Sequence, residues 1–240
     1  MIIFHAPDIL TTGMLPPEES HHCAKVLRMR AGDRIEAIDG RGNRIRAIIT
    51  DADHRGVSVD IEEVVASPLP WTYDITVAVA PTKNMDRMEW LVEKLTEVGV
   101  SRIIPMVCKR SVRREVKIER LAKIAVSAAK QSLKSVVPEI MPATPLPQVI
   151  KTLGDEAQRF VAYCSDDVAP RGLLSRLSRP DTDTAIMIGP EGDFTPDEVE
   201  ALIAADWVPV SLGDTRLRTE TAALAACTTL HIVNQIMSKN

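Results

Sequence analysis

Ile75-Thr76-Val77-Ala78-Val79-Ala80 is the stretch that most limits what this chain can fold into. It is continuous and carries no charged side chain, the pattern of a strand covered on both faces. Met88, Leu91, Val92, Leu95 and Val98 then recur at helical spacing, and Gly99 follows as the stop. Ile103–Val107 is the next strand, at a sheet edge if Pro105 sits inside it. A basic loop and a long helix over about Val116–Leu133 follow. Further strands are predicted near Glu139–Met141, Arg159–Cys164, Ala185–Gly189 and Val208–Leu212, with helices between them. Thr195-Pro196-Asp197-Glu198 spells a capping box with proline at the first helical position. Strand and helix alternate, so the fold class is α/β with a parallel sheet.

The first 68 residues read differently. Ile2–Phe4 and Arg34–Ile38 are short strands, with a helical turn or two at His21–Arg28 between them. Asp39-Gly40-Arg41-Gly42-Asn43 is a turn rich in residues that accept positive φ. Arg44–Ile48, and then Val57, Val59 and Ile61, alternate polar and apolar as half-buried strands do. Ser67-Pro68-Leu69-Pro70 reads as a linker. Two domains are expected, 1–70 and 71–240.

Composition narrows the function classes. Aromatic residues make up only 3% of the 240, which argues against a base-stacking aromatic platform. The start Met1–Phe4 lacks a signal-peptide pattern, and no apolar run of membrane-spanning length occurs, so a cytoplasmic protein with no membrane partner is expected. Cys23, Cys108, Cys164 and Cys227 are widely spaced and form no CxxC pair, as reduced thiols do. His21-His22 has no acidic or cysteine partner at useful spacing, so no metal is expected. Net charge is −4, yet residues 82–134 carry 13 Lys/Arg against 6 Asp/Glu, and residues 135–240 carry 8 against 15. Lys25–Arg46 holds 7 basic and 3 acidic residues. Such segregation is either a phosphate footprint or a solvated helix face.

Two turns carry the functional signal. Ile186–Phe194, with Ile188-Gly189-Pro190-Glu191-Gly192 inside it, reads as strand, tight turn and helix start. Ser211-Leu212-Gly213 through Leu217-Arg218 repeats that plan, with Thr219 as expected N-cap of an alanine-rich helix. Glycine at a strand end lets backbone approach a flat ligand, and a nearby arginine can hold an anion. Crevices at strand ends are where open parallel sheets bind ligands. There is no GxxxxGK[ST], no GxGxxG after a strand, no GxSxG and no HExxH.

With these motifs in order, the chain resembles the bacterial ribosomal RNA small subunit methyltransferase E family, of the SPOUT class. The resemblance spans essentially the whole chain. It is carried by His22 with Val26-Leu27-Arg28; by Lys83, Met88-Glu89, Lys94, Glu97–Val100, Pro105 and Arg110-Ser111; by Gln131-Ser132 and Val137-Pro138; and by the two turns, ending in Leu217-Arg218-Thr219-Glu220-Thr221-Ala222. Lys130 and Lys134 stand where Glu and Arg are usual, Asp193 where a second glycine is usual, and Thr215 where Arg or another residue is common.

The resemblance implies a small PUA-like β-barrel that binds RNA, then a SPOUT α/β domain with a deep trefoil knot, a feature general fold rules would not suggest. It implies S-adenosylmethionine as cofactor, a homodimer, and methylation of N3 of a uridine in the decoding region of 16S rRNA. Cofactor contacts fall on Ile188, Gly189, Pro190, Glu191, Gly192, Ser211, Leu212, Gly213, Leu217 and Arg218. RNA contacts fall on His22, Lys25, Arg28, Arg30, Lys83, Arg110, Arg113 and Arg114. Arg218 is the candidate stabiliser of the uridine anion; Glu220 either serves it or caps the helix. The competing classes are a non-catalytic RNA-binding or assembly protein, and a SPOUT enzyme acting on ribose or another base.

Overall fold

A computed structural model of the chain describes residues 2–165 and 169–237; the far ends of the two expected domains, 1 and 238–240, lie outside them. The chain divides into two compact units, one of residues 1–71 with 126–137 and one of 72–125 with 138–240.

The first unit contains β1 (Ile3–His5), α1 (Ile9–Thr12), α2 (Pro17–His21), a π-helical turn (His22–Val26), β2 (Arg34–Ile38), β3 (Asn43–Asp53) and β4 (Gly56–Ala66). The sheet order is β1-β2-β3-β4, with β1 parallel to β2 and the other pairs antiparallel. Alternation along β3 sends Ile45, Ala47 and Ile49 inward against Phe4, Ile9, Val57 and Val59. Asp39 closes the β2–β3 turn, accepting from the backbone N–H of Arg41 (2.8 Å) and Asn43 (3.0 Å). Lys130 meets Glu19 at 2.6 Å, and Glu19 also accepts from the His5 backbone N–H at 3.1 Å. Lys130, one of the departures from the family pattern, thus ties 126–137 to this unit.

The second unit contains β5 (Ile75–Val79), α3 (Met85–Val98), β6 (Arg102–Val107), the start of α4 (Ile118–Gln131), β7 (Glu139–Ile140), β8 (Thr144–Pro145) and α5 (Leu146–Thr152). Then come β9 (Gln158–Ala162), β10 (Gly172–Leu173), α6 (Leu174–Leu177), β11 (Thr184–Ile188), α7 (Pro196–Ala204), β12 (Val208–Ser211) and α8 (Thr219–Met237). The sheet runs β10-β12-β9-β11-β5-β6-β7, with β8 also on β6, and every pairing is parallel. β5 and β11 are buried along their whole length, as apolar strands covered on both faces must be. Gly99 ends α3 at φ +112. Thr195 and Glu198 form the capping box of α7.

Pro105 does lie inside β6, but β6 is not an edge strand. Its outer neighbour is broken there instead: β7 pairs with Arg102 and Ile103, and β8 with Met106 and Val107. The gap between these short partners accommodates a residue that has no N–H to give. No helix among the described residues is long and apolar enough to cross a membrane.

Candidate active site

Strand order brings the two turns together. β9 separates β11 from β12, and all three are parallel, so the turns after β11 and β12 leave the same edge of the sheet. They are latched directly. The Thr219 hydroxyl, buried at the start of α8, donates to the Gly189 carbonyl at 3.2 Å. This corrects the expectation that Thr219 caps α8. The helix begins one residue earlier, where the Arg218 carbonyl accepts from Ala222 N–H at 2.7 Å, and Thr219 is spent on the neighbouring turn.

The glycines of the two turns are required for different reasons. A Cβ on Gly189 would lie 2.9 Å from the Phe194 ring, so this glycine makes room for packing within the protein. Gly213 has φ +123, and a Cβ there would meet nothing within 4 Å. Its backbone is bare toward open space, as close approach of a flat cofactor demands. The Ser211 hydroxyl holds this turn, accepting from Gly213 N–H at 3.2 Å.

Asp193 takes φ +61, the left-handed conformation a glycine would supply. Its carboxylate adds what glycine lacks: it accepts from the N–H groups of Cys164 (2.9 Å) and Phe194 (2.9 Å), binding the loop after β9 to the loop after β11. Glu191 is exposed, and it accepts from Lys83 N–H at 2.8 Å, which brings in the loop after β5. The Arg110 guanidinium donates to the carbonyls of Gly192 (2.9 Å) and Phe194 (3.2 Å). Arg110 is therefore a strut of this loop as well as a surface cation.

Arg218 is exposed, and its side chain makes no hydrogen bond or ion pair among the described residues. Glu220 neither caps α8 through its side chain nor pairs with Arg218. It is 7% exposed, and its carboxylate lies 3.7 Å from the Arg87 guanidinium. Its second oxygen is buried without a hydrogen-bond partner among the described residues. Arg87 and Asn84 were not singled out at sequence level; Arg87 is one cation among 13 in a basic stretch, and periodicity says nothing of its carboxylate partner.

The other basic residues divide between the units. In the first, Lys25, Arg28 and Arg30 are exposed, and His22 packs edge-on to Phe4. In the second, Lys83 is exposed, Arg113 donates to the Lys83 carbonyl (3.3 Å) and Arg114 to that of Lys109 (3.3 Å). No group of His, Cys, Asp or Glu that could hold a metal ion occurs among the described residues.

Comparison with known proteins agrees with this architecture. Residues 69–231 match the RNA methyltransferase domain family, and residues 15–62 match the RNA methyltransferase PUA domain family. A parallel α/β domain with strand-end turns, preceded by such a unit, is that of an RNA methyltransferase. The ribosomal RNA small subunit methyltransferase E of Bacillus subtilis is 31% identical over 98% of this chain and 94% of its own. This chain belongs to the ribosomal RNA small subunit methyltransferase E family. Among solved structures, a probable rRNA-methyltransferase from Porphyromonas gingivalis is 44% identical with a TM-score of 0.91, covering 98% of this chain and 99% of its own. The family member from Neisseria gonorrhoeae, solved bound to S-adenosyl methionine, is 28% identical with a TM-score of 0.83, covering 97% and 98%.

Proposed function

We propose that this chain methylates N3 of a uridine in the decoding region of 16S rRNA on the small ribosomal subunit. The domain of residues 71–240 carries transfer and residues 1–70 carry RNA binding. The observation behind this reading is an exposed Arg218, without a side-chain partner among the described residues, beside two latched strand-end turns. S-adenosylmethionine supplies an electrophilic methyl group on a sulfonium leaving group. The chain provides the cradle for it, with Ile188–Gly192 on one side and Ser211–Gly213, Leu217 and Arg218 on the other. Holding donor and acceptor in line is the main catalytic task. Uridine N3 must lose its proton, and the resulting charge spreads onto O2 and O4. Arg218, at the N-terminus of α8, is placed to stabilise that anion.

In the same reading, the first unit's sheet closes as a PUA-like barrel and the C-terminal part of the second is a deep trefoil knot. An experimental trace of residues 158–237 that pulls straight would remove the knot. The protein works in the cytoplasm as a homodimer. His22, Lys25, Arg28 and Arg30 face RNA from the first unit, and Lys83, Arg110, Arg113 and Arg114 from the second.

The test is transfer of labelled methyl to small subunits from cells lacking the protein, followed by digestion and identification of the nucleoside. N3-methyluridine is expected. A ribose-methylated nucleoside would move the chain to another SPOUT activity. No transfer and no cofactor binding would leave an RNA-binding protein.

A further inference from the structure

A cavity of about 560 Å³ lies beside the turn after β11, lined by Lys83, Asn84, Arg87, Val112 and Glu191. It is a built site. Lys83 is fixed from both sides: its N–H is held by Glu191 at 2.8 Å, and its carbonyl by Arg113 at 3.3 Å. Its ammonium has no ion-pair partner among the described residues. Asn84 caps α3 through Asp86 N–H at 3.0 Å. Val112, 67% exposed, is an apolar wall.

Behind this lining sits Glu220. A carboxylate that is 7% exposed is costly to bury unless paired. Its companion is Arg87, at 3.7 Å, while one oxygen has no hydrogen bond among the described residues. The planar guanidinium can face Glu220 along one edge and the cavity along the other. The pair is half-buried: the Arg87 side chain is 41% exposed, so the guanidinium reaches from the buried carboxylate out to the cavity.

Two cations outweigh the one carboxylate in the lining, Glu191, which is engaged by the Lys83 N–H; with an amide and an apolar wall they suit a phosphodiester with its ribose or base beside it, and the volume is within the range of small-ligand pockets. We infer that Lys83 and Arg87 clamp a backbone phosphate of the RNA substrate next to the target nucleotide, with Glu220 holding Arg87 in position. This rests on the proposed rRNA methylation. Glu220 is then a positioning residue, acting through Arg87.

The experiment uses the full chain and small ribosomal subunits from cells lacking the protein, with binding and methyl transfer measured separately. Arg87→Ala should weaken subunit binding and raise KM about tenfold or more. It should also flatten the slope of log K against log salt by about 1, and leave cofactor affinity unchanged. Lys83→Ala should do the same, and it keeps the test alive if the Arg87 variant folds poorly. Arg87→Lys should restore the salt slope but only part of KM. Glu220→Gln should raise KM alone and add nothing to Arg87→Ala. A lowered melting temperature with unchanged slope and KM would mean that the pair merely braces α8, and would overturn the clamp. If wild type binds subunits with a slope that Arg87→Ala flattens, yet transfers no methyl, the clamp stands and the methylation reading fails.

Discussion

Arg218→Ala separates catalysis from folding. The Arg218 side chain is exposed and without a partner among the described residues. The backbone carbonyl accepts from Ala222 N–H at 2.7 Å, a bond that alanine keeps. A surface substitution of this kind changes stability by no more than about 0.5 kcal/mol, which is about 1–2 °C in Tm for a chain of this size. Its effect on rate should be far larger. Removing one donor aimed at a developing oxyanion costs roughly 10²–10³, or about 2.7–4 kcal/mol in the barrier. Glu220 is not disturbed, because its ion pair is with Arg87. The assay is single-turnover methyl transfer at saturating cofactor, beside a thermal melt and calorimetry of cofactor binding. Arg218→Lys should recover only part of the rate, since an ammonium cannot form the two-pronged contact. A near-wild-type rate for Arg218→Ala would refute the assignment.

Gly213→Val should melt a few degrees lower, because φ +123 strains an L residue, and should lose cofactor binding through the added branch; unchanged affinity in calorimetry would move the cofactor elsewhere. Gly189→Ala instead forces the Phe194 ring aside, at about 1–3 kcal/mol of stability. Burial, aided by Lys130 and opposed by Glu19, holds the His5 imidazole below its usual 6.5. The unfolded chain therefore takes this proton first, so its stability contribution is full above about pH 6.5 and is lost as pH falls through the lowered folded value. Melts at descending pH should show this loss, and His5→Asn should flatten it. Burial pushes the Cys108 and Cys227 thiols up to about 12 and Cys23 is also buried, so a thiol reagent should label Cys164 alone in the native protein and all four after unfolding. Ile232 and Ile236 of α8 are 47% and 63% exposed, and a dimer covering them should sediment as such at micromolar concentration; a monomer there would remove the dimer.

The sequence by itself determined the parts whose cause is local. Apolar continuity marks β5, helical spacing marks α3, and Thr195 and Glu198 mark the start of α7, because each pattern involves residues within a turn or two of one another. Both strand-end turns were legible for the same reason. Tertiary structure decided what depends on partners distant in the chain. Only sheet order places β9 between β11 and β12 and sets the two turns side by side. Only that placement lets Thr219 reach Gly189 instead of capping its own helix, and gives Glu220 to Arg87 instead of Arg218. It likewise breaks the outer partner of β6 at Pro105 and returns residues 126–137 to the first unit. Periodicity reports which face of an element is buried, but not which element buries it, and here the choice of partner makes the site.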